Sequence, residues 1–155
     1  IGFWATTALA TDDGGWQQIN RCAQPLMNTI FIADDSECAS RYNVTHPSDD
    51  REVHGPRVRD LTARVVAELG TADDPLAYGE DVADILFPDV LHYEVGTRAH
   101  FGFARRNGRG FGEPTPEVMF GIVLNKAVSL GLDAGSTSAP IREEFPYVPP
   151  PVPIA

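Results

Sequence analysis

Arg57-Val58-Arg59-Asp60-Leu61-Thr62-Ala63-Arg64-Val65-Val66-Ala67-Glu68-Leu69-Gly70 is the stretch on which the fold turns. Val58, Leu61, Thr62, Val65 and Leu69 recur at i, i+3, i+4, i+7 and i+11, and Arg57, Arg59, Asp60, Arg64 and Glu68 fall on the other side. That is the 3.6-residue period of a helix with one apolar face. Gly70 can take the left-handed conformation that closes a helix. The spacing predicts a helix over 57–69 seated on a core.

Two further helices follow toward the C-terminus. Asp73-Asp74-Pro75 offers a cap with proline in the first turn, and Val82, Ile85 and Leu86 share a face over 80–87 until Pro88 stops the helix. Thr115-Pro116-Glu117 combines a hydroxyl cap, a proline that needs no N–H and a carboxylate at the positive end of the helix dipole. It opens a helix over 116–130 outlined by Val118, Ile122, Ala127 and Leu130 and closed by Gly131. Gly121 inside it costs about 1 kcal/mol relative to alanine, which calls for a close helix or backbone contact.

Toward the N-terminus the pattern changes to strands. Phe3 to Leu9 and Trp16 to Arg21 read as a hairpin around an Asp12-Asp13-Gly14-Gly15 turn, and Ile30-Phe31-Ile32 tilts the apolar run Leu26 to Ile32 to strand. Asp34-Asp35-Ser36 offers an N-cap for a short helix through Arg41. From Asn43 to Pro56 the chain is polar and aperiodic, a surface loop. Asp89 to Val95 alternates as a strand with one buried face, and Phe101 to Gly112, rich in glycine and arginine, reads as loop or edge. The fold class is therefore α+β, with residues 1–145 a single domain or the C-terminal part of a larger one. Residues 146–155 form a Pro-rich extended arm.

A chain of 155 residues buries about two-thirds of its unfolded surface, enough for one core. Its net charge of −10, from 22 acidic against 12 basic residues, argues against nucleic acid as a partner and disfavours anionic lipid, since both need a positive surface. No apolar run approaches the roughly 20 residues that span a bilayer. The opening Ile1-Gly2, without an initiator methionine, reads as a processed product or a fragment. Cys22 and Cys38 either form a bridge, closing a loop worth about 3 kcal/mol, or stand as two buried thiols.

Several short motifs follow one another in a recognisable order. Trp4-Ala5-Thr6-Thr7, Trp16-Gln17-Gln18-Ile19-Asn20-Arg21, Pro25-Leu26-Met27-Asn28, Tyr42-Asn43 with Pro47 and Asp49-Asp50, Leu86-Phe87-Pro88-Asp89-Val90-Leu91, Asn107-Gly108-Arg109 and Phe145-Pro146-Tyr147 run through nearly the whole chain. The series resembles the second half of the domain-of-unknown-function 4331 family. The chain departs from the family after Asn107-Gly108-Arg109, where an acidic Leu-Thr-Asp-Asp stretch is replaced by Phe111 and Glu113-Pro114-Thr115-Pro116-Glu117. The resemblance implies an exported, extracytoplasmic bacterial protein with no established activity. It also implies a longer domain whose strand-rich N-terminal half would be this chain's partner, alongside any other protein subunit.

Candidate chemistry is sparse. His46, Asp50 and His54 could offer two imidazoles and a carboxylate to a metal ion from one loop, although close zinc-ligand pairs are missing. His92 and Glu94 share a strand face about 6.5 to 7 Å apart, and with His100 they could do acid–base work in a metal-assisted or acid–base hydrolase. Alternatively His92 or His100 could ligate haem or a pigment between Phe101 and Phe103. Arg105, Arg106, Asn107 and Arg109 form the basic cluster of an acidic chain, able to clamp a carboxylate or phosphate or to pair with the chain's own acids. No nucleophile elbow or phosphate loop occurs, and no cofactor is required by the sequence. The leading expectation is a non-catalytic binding or structural module acting through its precursor, another subunit or a small ligand. The hydrolase and the haem or pigment carrier stand as alternatives.

Overall fold

The computed structural model describes residues 2–3, 6–10, 16–32, 36–136 and 140–151. In chain order these hold β1 (Gly2–Phe3), β2 (Thr6–Ala10), β3 (Trp16–Arg21), a π-helical turn (Asn28–Ile32), α1 (Ser36–Val44), α2 (Asp50–Val53), α3 (Gly55–Leu69), α4 (Pro75–Leu86), β4 (Leu91–His92), β5 (His100–Phe101), β6 (Arg106–Asn107) and α5 (Thr115–Leu124). The arrangement is α+β. Helices α3, α4 and α5 build the core, and the antiparallel pairs β1–β4, β2–β3 and β5–β6 lie around it.

The helix at 57–69 is present and ends, as its sequence predicts, at Gly70 in the left-handed conformation (φ 62°). Its buried stripe is turned from the expected one. Val58, Thr62, Ala63 and Val66 are buried, Leu61 and Val65 are half-buried, and Leu69 is exposed. The rotation follows from Gly79 of α4, which lets the two helices meet backbone to backbone: a Cβ there would overlap the carbonyl oxygen of Arg59 and come within 3.3 Å of Ala63 N. Val82, Ala83 and Leu86 then pack with Val58 in the core, joined by Val118, Met119, Ile122 and Val123 of α5.

Two helix boundaries differ from the sequence reading. Helix α4 starts at Pro75 rather than 80, because the Asp74 carboxylate accepts the Ala77 N–H at 3.0 Å and caps the first turn. Helix α5 stops at Leu124 rather than 130, because Asn125 takes the left-handed conformation (φ 47°). The carbonyls left open at its end accept side-chain donors from across the core, Tyr78 Oη to Ile122 O at 2.6 Å and Thr71 Oγ1 to Leu124 O at 2.8 Å. The contact that compensates Gly121 is the ring of Phe103, with Lys126 O 3.3 Å from an added Cβ.

The run Leu26 to Ile32 is not a strand: it leads into and holds the π-helical turn Asn28–Ile32, Leu26 has φ 61°, and Phe31 and Ile32 plug into the core. The hairpin of Thr6–Ala10 with Trp16–Arg21 is present, while its expected turn lies outside the described residues. The caps Asp34-Asp35 also lie outside them, and α1 runs on to Val44. The strand expected over 89–95 shortens to Leu91–His92. Residues 148–151 have no regular secondary structure and are mostly exposed, and Phe145 and Tyr147 pack on each other at 6.0 Å.

Candidate functional site

The polar segment after α1 is not the surface loop that its composition predicts. It folds into a 3-10 turn (Pro47–Asp49) and α2, and it buries Asp50 and His54. What makes this affordable is Arg21, delivered from β3. Its Nη1 donates to Asp50 Oδ1 at 2.5 Å, its Nη2 pairs with Asp50 Oδ2, and both side chains have no exposed surface. Fork-to-fork pairing of this kind is the geometry in which arginine and carboxylate satisfy each other best.

Asp89, from the turn after α4, completes the network. Its Oδ2 accepts from Tyr42 Oη at 2.5 Å, its Oδ1 accepts the Gln24 N–H at 2.5 Å, and its own N–H donates to Asp50 Oδ2 at 2.8 Å. Arg21 Nε lies 3.4 Å from Asp89 Oδ2, within ion-pair reach but off the line of a hydrogen bond. The guanidinium also covers the Tyr42 ring, 4.5 Å from its centroid. Burial holds the Asp89 carboxyl above its ordinary range despite the donors from Tyr42, Gln24 and Arg21. Burial and then the Asp89 charge push the Tyr42 phenol up.

Around this centre β3 closes the end of α1. Gln18 Nε2 donates to Asn43 O (2.7 Å) and Thr45 O (3.1 Å), and Arg21 Nη1 reaches Tyr42 O and Thr45 O at 3.4 Å each. These are the carbonyls a helix leaves open. His54 stands edge-on to Tyr42 at 5.1 Å. Thr45 Oγ1 donates to Arg41 O, so it accepts from His54 Nε2, 3.1 Å away, which fixes the tautomer. Burial lowers the His54 pKa, and Arg21 adds to the effect against the pull of Asp50.

The network is almost wholly buried, and its charges are spent on one another. Beside it opens a polar cleft of about 290 Å³ where Gln24, Asn28, Tyr42 and Arg109 meet.

The residues singled out in the sequence are dispersed. His46 binds Ser48 at the surface, Asp50 belongs to Arg21 and His54 to Thr45, so the three do not converge; among the described residues no group of His, Cys, Asp and Glu could hold a metal ion. His92 and Glu94 are exposed. His100 lies 3.1 Å from Glu113, not beside Glu94, and Glu94 is 3.9 Å from Arg105 at the surface. Phe101 is buried in the core while Phe103 covers Gly121, so the two do not wall a haem pocket together. No bridge joins Cys22, which is exposed, to Cys38, which is half-buried.

Arg105, Arg106, Asn107 and Arg109 do not form one clamp. Asn107 bolts a turn, accepting the Glu94 N–H at 2.7 Å and donating to Thr97 Oγ1 and Arg98 O. Arg109 donates to Cys22 O at 3.1 Å, and Gly108 (φ 76°) passes close to the Tyr93 ring while its N–H reaches His92 O at 2.6 Å. Arg106 turns inward over Phe101.

The Arg21–Asp50–Asp89–Tyr42 network had no sequence signal of its own. Its members lie in the short motifs of the ordered series, and what could have pointed to them was an arginine, a tyrosine and two aspartates set among core positions. No family model matches the chain, and no curated protein or solved structure matches it.

Proposed function

We propose that this chain is a non-catalytic binding module of an exported protein, working by association with another polypeptide, foremost the remaining part of a longer domain. The observation that carries the reading is the state of its β-structure. Among the described residues each strand pair stops at two strands, an arrangement that a further strand can extend. Two-stranded ribbons are marginal by themselves. Large apolar side chains are exposed alongside them, among them Val95 and Phe111, and Phe145 is 83% exposed. The charged residues support the same reading, because the most deeply buried of them serve architecture. Export rests on the motif series alone.

Light scattering and intact-mass measurement on protein isolated from its native source test this. The expected result is a complex heavier than the chain's 16.8 kDa with a companion polypeptide present. A monomer without a companion that unfolds in one cooperative transition overturns it. Stoichiometric metal would select the hydrolase instead, and a visible chromophore the haem or pigment carrier.

A further inference from the structure

Between the end of α4 and β4 lies a second cleft, of about 200 Å³, walled by Ile85, Pro88 and Leu91 and reached by Gln24, His92 and Arg106. Two of its polar groups are unsatisfied. Arg106 Nη1 is buried without a hydrogen-bond partner, and no carboxylate of the described residues pairs with this guanidinium. Gln24 is 7% exposed, and its Oε1 is likewise buried without a partner. Buried polar groups are almost always bonded, and an unpaired one is costly, a charged one most of all. Arg106 is held over the Phe101 ring, its centre 5.9 Å away, and burial alone lowers its pKa.

We infer that this cleft binds a small monocarboxylate carrying an apolar group. A carboxylate presents two acceptors to the guanidinium fork. The Gln24 amide, turned about its last bond, presents its NH2 to the same anion, which removes the second orphan as well; the two amide orientations are equivalent in shape. A single net charge is favoured because one guanidinium is available, and the carboxylate of Asp84 at the rim, paired with Arg51 Nε at 2.5 Å, opposes a second negative charge. Ile85, Pro88 and Leu91 supply the apolar wall, and the volume admits only a few heavy atoms beyond the carboxylate, the rest of a larger acid staying outside the cleft. The site lies within this chain and does not rest on the association proposed above; a monomer would bind equally well.

Titration of the 15N-labelled protein with butyrate, benzoate, N-acetyl-leucine and inorganic phosphate, followed by NMR, tests the assignment. Saturable shifts confined to the Arg106 Nε–H, the Gln24 amide and their neighbours, at millimolar carboxylate, are expected. Butyrate or benzoate binding identifies a free acid; binding of N-acetyl-leucine alone identifies the C-terminal carboxylate of a polypeptide. Arg106→Gln should weaken binding roughly tenfold or more, and Arg106→Lys, which keeps the charge and loses the fork, should weaken it too. Phosphate binding as well as the carboxylates, shifts mapping elsewhere, no shift with any acid, or an unchanged affinity in a folded Arg106→Gln overturns the inference. Should both variants fail to fold, the location of the shifts in the unaltered protein decides.

Discussion

Replacing Arg21 by methionine should be among the most damaging single changes in this chain. Methionine fills much of the space of the aliphatic stem, so the loss is electrostatic: the paired bonds to Asp50, the 3.4 Å approach to Asp89 and the cover over the Tyr42 ring. Both carboxylates stay behind, buried. Breaking one partner out of a buried pair costs about 3–5 kcal/mol. At roughly 2–4 °C per kcal/mol for a chain of this size, the melting temperature should fall by about 6–20 °C. Two features separate this from a packing defect. Adding Asp50→Asn to Arg21→Met should restore stability, because it removes a buried charge that has lost its counter-ion. The deficit should also shrink on acidification: burial already holds the Asp89 carboxyl above its ordinary range and the lost cation no longer opposes it, so the folded state takes up that proton first and gains stability as the pH falls through that window. Urea denaturation of the single and double variants at several pH values reads both. A loss below about 1 kcal/mol, as for a surface pair, or a double variant less stable than Arg21→Met would refute the reasoning.

Tyr42→Phe removes the hydroxyl that donates to Asp89 and should cost about 1.5–3 kcal/mol by chemical denaturation, the range for hydrogen bonds to charged groups. Its cost should be smaller at acid pH, where Asp89 is neutral. His54 has a folded pKa below its ordinary 6.5, so the unfolded chain binds the proton first and stability is lost as the pH falls below that value; His54→Gln should flatten this part of the stability profile. Gly79→Ala should lower stability by about 1–3 kcal/mol or more, since the new methyl meets the backbone of α3. Gly121→Ala should be much milder in the same thermal assay, because its obstacle is the end of the Phe103 ring, 53% exposed and able to swing aside.

What was legible in the sequence was what depends on neighbours along the chain. Helix α3 announces itself through its period and its closing glycine, and Asp74 already marks the start of α4. The end of α5 was misplaced because Asn125 and Gly131 are both competent stops, and Ala127 and Leu130 imitate a continuing apolar face. Ile30-Phe31-Ile32 has the composition of a strand, yet a short apolar run becomes whatever its surroundings bury, here a π-helical turn that sinks Phe31 and Ile32 into the core. The site was the least legible part. Asp50 looks like a solvated loop residue until Arg21, 29 positions earlier, arrives to neutralise it. The strand after Asp89 looks longer than it is until Asn107, 13 positions later, takes the N–H of Glu94. Arg106 was read with its basic neighbours, but adjacent residues on a strand face opposite ways.

The buried network also bears on the order of events in folding. Arg21, Asp50 and Asp89 come from β3, α2 and the turn after α4, and Tyr42 from α1. Drying any one of the charged groups before the others are in place is unfavourable, so the network closes after the helices have packed, as a latch and not a nucleus. Arg21→Met should therefore speed unfolding in stopped-flow experiments while leaving the refolding rate nearly unchanged, the signature of contacts absent from the transition state. A marked slowing of refolding would place the network in the nucleus. On this account the Arg21 latch governs how long the folded chain persists far more than how quickly it forms.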